Sequence, residues 1–207
     1  SEKCAFSAEK NLFSEESGFV EGSTSDQFDL FAYVVNPNNV LGSREFQYEF
    51  TITDSEGNVV VRKDGKNFIL PGEKKYIIET NVKSLTYPAK VTFEIKNTSW
   101  AEFRQYQERP RLKIVNKQYT EINSLALFSE ASGLLKNESP FEFKSIRRQV
   151  ILKDESGKII ALNSTQINTV KSGENREFKA PWTRKFAGQV SNVEVYPEVN
   201  VFNELGI

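Results

Sequence analysis

The chain has 207 residues, of which 38% are hydrophobic and 12% aromatic, including 16 Phe; it has the apolar material for folded cores and the length for one large domain or two small ones. A formal net charge of -1 leaves no electrostatic footprint for nucleic acid or an anionic membrane surface. With no His and a single Cys, neither Ser-His-Asp nor Cys-His nucleophiles can be assembled, and Cys/His zinc sites are excluded as well.

No apolar run is long enough to span a bilayer, and the sequence reads as a processed ectodomain whose membrane anchor, if it has one, lies outside it. Cys4 has no partner within the chain. It reads as a leftover thiol or as the partner of a cysteine further upstream, with a lipid-carrying N-terminus as the minor option.

In chain order, the first clear strand signal is Tyr33-Val34-Val35, halted at Asn36-Pro37-Asn38-Asn39. Proline stops a ladder and the flanking Asn residues suit a turn, so this is a loop at a sandwich end. Most such loops only connect strands, but some bind partners, which makes Asn36 and Asn38 candidate contact residues. Phe46, Tyr48, Phe50 and Ile52 then alternate with Gln47, Glu49, Thr51 and Thr53. Period two puts the first set on one sheet face and predicts a strand with one apolar side. Asp54-Ser55-Glu56-Gly57 follows as a turn, capped by the Asp and closed by a glycine at positive φ. A calcium loop through Asp54, Glu56 and Asn58 is the sharper alternative, but its ligand set is incomplete. Pro71-Gly72-Glu73 turns into another strand, and Val91, Phe93 and Ile95 alternate in a last one.

Residues 97–121 read as the junction; within them Trp100 to Pro110 mixes charge and aromatics, and Trp100 and Tyr106 are expected to pack there. The absence of a Gly/Ser-rich linker predicts a restricted range of orientations between the two sides.

The same order of signals then recurs. Asn137 is followed by Pro140, Asp154-Glu155-Ser156-Gly157 repeats the Asp turn, Ser172-Gly173-Glu174 repeats the Gly-Glu turn, and Val193 and Val195 close the copy. Matched positions lie about 100 residues apart, the length of one Ig-sized sandwich. The expected fold is therefore all-β, with two tandem Ig-like antiparallel β-sandwich domains at residues 1–108 and 109–207. Arg148 breaks the pattern, because it shares a face with Ile146, Val150 and Leu152. A bulge or an edge position is the expected remedy, and an anion site is the alternative. Asn97-Thr98-Ser99, Asn163-Ser164-Thr165 and Asn137-Glu138-Ser139 fit the N-glycosylation sequon, which matters only in a host that glycosylates secreted proteins.

The second copy resembles a known family. Gly133-Leu134-Leu135-Lys136-Asn137-Glu138-Ser139 resembles the "G-x-v-x-N-x-s" opening of FxLYD-type domains. Val150-Ile151-Leu152-Lys153-Asp154-Glu155-Ser156-Gly157-Lys158-Ile159 resembles their central strand and turn, with Lys153 where that family shows Tyr, and Lys171-Ser172-Gly173-Glu174 before Phe178 resembles their "G-e-x-x-x-F" segment. The first copy looks like a more distant relative, and its Val35-Asn36-Pro37-Asn38 is similar to the opening of plant late-embryogenesis-abundant sandwich domains. The resemblance implies Ig-like sandwiches of bacterial extracytoplasmic and membrane-anchored proteins. It implies no catalytic residue, because the shared positions are turn and core residues; no metal or cofactor is expected.

The function expected is a non-catalytic module at the bacterial cell surface, acting as stalk, spacer or scaffold for a protein or cell-envelope component. The alternative is a carbohydrate-binding module whose stacking platform is Trp100, Tyr106 or Trp182. A hydrolase built on two carboxylates needs a facing pair that no local motif marks. An internal Lys–Asn isopeptide bond, as in some bacterial surface sandwiches, is a further option, but spacing alone selects no pair.

Overall fold

The alternating runs form strands in a computed structural model that describes residues 8–103 and 109–204; Cys4 and Tyr106 lie outside the described residues. The N-terminal half contributes β1 (Phe13–Glu21), β2 (Gln27–Val35), β3 (Leu41–Thr53), β4 (Val59–Ile69), β5 (Lys74–Lys83) and β6 (Lys90–Glu102). The C-terminal half contributes β7 (Leu112–Glu121), β8 (Ser129–Asn137), β9 (Phe143–Lys153), β10 (Ile159–Val170), β11 (Asn175–Trp182) and β12 (Asn192–Glu198), then one helical turn, α1 (Val201–Glu204).

The strands form four small antiparallel sheets, ordered β1-β2-β5, β4-β3-β6, β11-β8-β7 and β10-β9-β12. Adding six to each strand number converts the first two orders into the last two, so the repeated turn signals accompany a repeated topology. The turns repeat to the atom. Asp54 Oδ1 accepts the N–H groups of Glu56 and Asn58, each at 2.9 Å, and Asp154 Oδ1 accepts those of Ser156 at 2.9 Å and Lys158 at 3.0 Å. Gly57 at φ 85° and Gly157 at φ 84° close them in the left-handed region, where a Cβ is strained.

Within each half two sheets stack, an arrangement consistent with a β-sandwich. Phe46, Tyr48, Phe50 and Ile52 of β3 are buried against Leu30, Ala32 and Val34 of β2 and Ile77 of β5, as their period-two spacing requires. In the other half, Ile146, Val150 and Leu152 of β9 meet Ala131 and Leu135 of β8 and Phe178 of β11.

A third apolar layer joins the halves. Val20, Phe31, Tyr76 and Ile78 point away from the first core and meet Ile151, Ile159 and Leu162 of the other half. Sheets β1-β2-β5 and β10-β9-β12 are thus inner layers, and the outer layers are β4-β3-β6 and β11-β8-β7. The sequence carries the trace of this: β2 reads Phe-Asp-Leu-Phe-Ala-Tyr-Val-Val with little alternation, the pattern of a strand covered on both faces.

Two expectations are corrected. Arg148 lies at neither an edge nor a bulge. It sits in central strand β9, in unbroken register with Thr165 and Pro197, at 4% exposure. Its guanidinium is 4.8 Å from the Phe178 ring centroid, and its Nε and Nη1 have no hydrogen-bond partner among the described residues. Cation–π contact with the ring replaces ion pairing. Among the described residues, Trp100 packs on the N-terminal core and not across the junction. Because β6 continues to Glu102, Trp100 stays opposite Ser43. Aromatic contacts between the halves include Phe68 and Phe103, each edge-on to Phe202, and Tyr76 beside Tyr196.

Candidate functional site

The loop asparagines are structural anchors. Asn36 is 1% exposed. Its Nδ2 donates to the carbonyls of Leu41 (2.7 Å) and Leu70 (2.9 Å), while its Oδ1 accepts from the backbone and side chain of Asn38. Asn137 does the same in the other half, donating to Phe141 and Lys171 carbonyls and accepting the Ser139 N–H. Asn38 is buried too, and its side chain exchanges hydrogen bonds with the Lys10 backbone at 2.8 and 2.7 Å. Groups so fully used hold loop to strand and have no donor left for a partner. Asn36→Ala or Asn137→Ala is expected to cost roughly 2–4 kcal/mol in urea unfolding, because a buried amide is removed and its backbone carbonyl partners lose their donor.

Trp182 has a different setting. It ends β11, donates its Nε1 proton to the Leu162 carbonyl at 3.0 Å and stands edge-on to Phe186. It lines a cleft of about 270 Å³ between the halves, with Asp29, Asn81, Asn163 and Arg184 among the walls. Asp29 is the residue that sequence reading missed. It interrupts the apolar run of β2, is 7% exposed, and accepts the Asn81 N–H at 2.8 Å. Asn81 itself has φ 57°, a left-handed conformation that Asn tolerates.

Burial pushes the Asp29 carboxyl up to about 6, against the lowering effect of the Asn81 N–H. The folded chain therefore holds this proton more tightly than the unfolded one. The corresponding stability is present below about pH 4 and lost as pH rises through about 6. Asp29→Asn keeps the acceptor for Asn81. It is expected to flatten that part of the pH–stability curve and to add up to about 3 kcal/mol at pH 7, read by denaturant titration.

No family model matches the chain, and no curated protein matches it in sequence. Its chemistry must therefore be read from its own residues.

A second polar constellation lies at the other end of the inter-half seam. Lys75 of β5 and Glu198 of β12 form an ion pair at 2.9 Å, with side-chain exposures of 5% and 10%. Lys75 Nζ also donates to Asn67 Oδ1 at 2.9 Å and to the Phe68 carbonyl at 3.0 Å, and it sits 3.7 Å from the Phe68 ring centroid. Asn67 Oδ1 additionally accepts the Phe68 N–H at 2.9 Å. Asn67, Phe68 and Glu198 border an open cleft of about 350 Å³ with Arg44 and Arg147 on its walls. The amine, the amide and the carboxylate come from three strands and meet only in the fold.

Proposed function

We propose that the chain is a rigid extracytoplasmic module: two Ig-like sandwich domains, residues 1–108 and 109–207, acting as spacer or protein-contact scaffold at a bacterial cell envelope. The observation that carries this reading is the inter-half seam. Apolar residues of β1, β2 and β5 meet those of β9 and β10, and the buried Lys75–Glu198 pair lies at one end of that contact. Modules joined only by a tether move freely, whereas an apolar sheet-on-sheet contact fixes their angle. A fixed angle is what a spacer needs. The FxLYD-like motifs of the second half support the extracytoplasmic setting.

The rigidity is tested with spin labels at Ser55 and Glu155, on the two equivalent turns. One narrow distance distribution supports the spacer reading; a broad or multiple one defeats it.

A second reading is favoured by one specific observation, the presence of Trp182, Asp29 and Asn163 in one cleft. An aromatic wall beside carboxylate and amide groups suits a hydroxylated sugar ring, which offers an apolar face and a rim of hydroxyls. Glucose, galactose and N-acetylglucosamine are titrated against the indole N–H resonance of Trp182. Saturable shifts that vanish in Asp29→Asn support a saccharide site. Unmoved resonances at about 20 mM sugar, where even millimolar binding would saturate, reject it.

A further inference from the structure

The contacts around Lys75 arrange an amine against an amide carbonyl with an acid–base group beside them. From this geometry we propose that Lys75 and Asn67 are joined after folding by an isopeptide bond, with Glu198 as the proton carrier. The inference does not depend on the spacer reading.

Each requirement of amide aminolysis has a residue. The nucleophile must be a neutral amine, and Glu198 Oε2, 2.9 Å from Nζ, is placed to take the ammonium proton. The electrophile must be held close, and Nζ is already 2.9 Å from the carbonyl oxygen of the Asn67 side chain. The carbonyl must be polarised as charge gathers on its oxygen, and the Phe68 N–H donates to that oxygen at 2.9 Å. The Phe68 ring covers Nζ at 3.7 Å and shields the amine from water on that side. The leaving group needs an exit, and Asn67 borders the open cleft.

The step balances without any oxidant or co-reactant. The Nζ lone pair attacks Cγ of Asn67, forming the C–N bond and moving charge onto Oδ1. The tetrahedral carbon collapses, the bond from Cγ to Nδ2 breaks, and Nδ2 leaves. Glu198 carries protons from Nζ to the departing nitrogen and ends as the carboxylate it began as. Lysine ammonium and asparagine amide thus become a secondary amide and one ammonium ion.

The alternative is a static cluster in which the lysine ammonium keeps its three acceptors. Intact mass separates the two on the chain as it is. The expected mass is lower than the sequence mass by one ammonia. Lys75→Arg, Asn67→Ala and Glu198→Gln should each restore the mass of their own sequence. Tryptic peptides of the wild type should contain residues 67–74 linked to 75–83. A wild-type mass equal to the sequence mass overturns the proposal, as does an ammonia loss that survives Lys75→Arg. If Lys75→Arg fails to fold, the peptide map of the wild type decides: the linked pair supports the bond, and free peptides refute it.

Discussion

Lys75→Met is expected to lower the unfolding free energy by about 3–5 kcal/mol, the usual cost of removing one partner from a buried ion pair. The reason is what remains behind. Glu198 is 10% exposed at its side chain, and its other described contact is the Gln149 amide at 3.4 Å. Without the lysine it is left as a largely buried carboxylate that has lost its ion-pair partner. The Phe68 carbonyl and Asn67 Oδ1 lose a donor as well. The sign is unchanged if Nζ is already bonded to Asn67, since the variant then loses the link along with the donor. The effect should concentrate at the seam. The spin-label distance between the two equivalent turns is expected to broaden under conditions where each half retains its β-sheet circular dichroism. A variant as stable as the wild type, with an unchanged distance, would show that the pair is irrelevant to the seam.

Arg148→Met is expected to act in the opposite direction, raising the unfolding free energy by about 1–4 kcal/mol. Arg148 lies in the middle of a sandwich at 4% exposure, and two of its three guanidinium nitrogens have no hydrogen-bond partner among the described residues. Its stabilising contact is the Phe178 ring. Burial, with the charge of Arg176 adding, lowers its pKa from the ordinary value, the mark of an uncompensated cation. Methionine has a similar reach, carries no charge to desolvate and packs favourably on an aromatic ring. Chemical denaturation of the variant checks the sign. A loss of stability would mean that Arg148 is compensated by a group it meets in solution, such as a bound anion.

Arg148 also shows how far one-dimensional reading reaches. Its position on the apolar face of a strand was visible from period two alone. Whether the strand was central or at an edge was not, because strand order depends on pairings between distant segments. Lys75 could have been flagged by the same test, since it shares a face with Ile77 two residues on. Its partner Glu198 could not, because it lies at the end of the last strand. Asn36 and Asn38 illustrate the reverse. An Asn-Pro-Asn loop looks like an exposed contact surface, yet both amides turn inward to satisfy backbone carbonyls that the loop would otherwise strand. Asp29 was legible only as an interruption in an apolar run.

The sequence by itself determined most of the strands but not β1, several apolar faces, the Asp and Gly-Glu turns and the repetition of these at a fixed interval. Those features are local, set by side-chain alternation and by the few residues that accept turn geometry. Only the tertiary structure decided that the two halves share an apolar seam and that Trp182 and Asp29 border one cleft. It alone brought Lys75, Asn67 and Glu198 within bonding reach. Such juxtapositions depend on which sheet faces come together, and that is settled by burial summed over whole surfaces and left unencoded in any short run of residues.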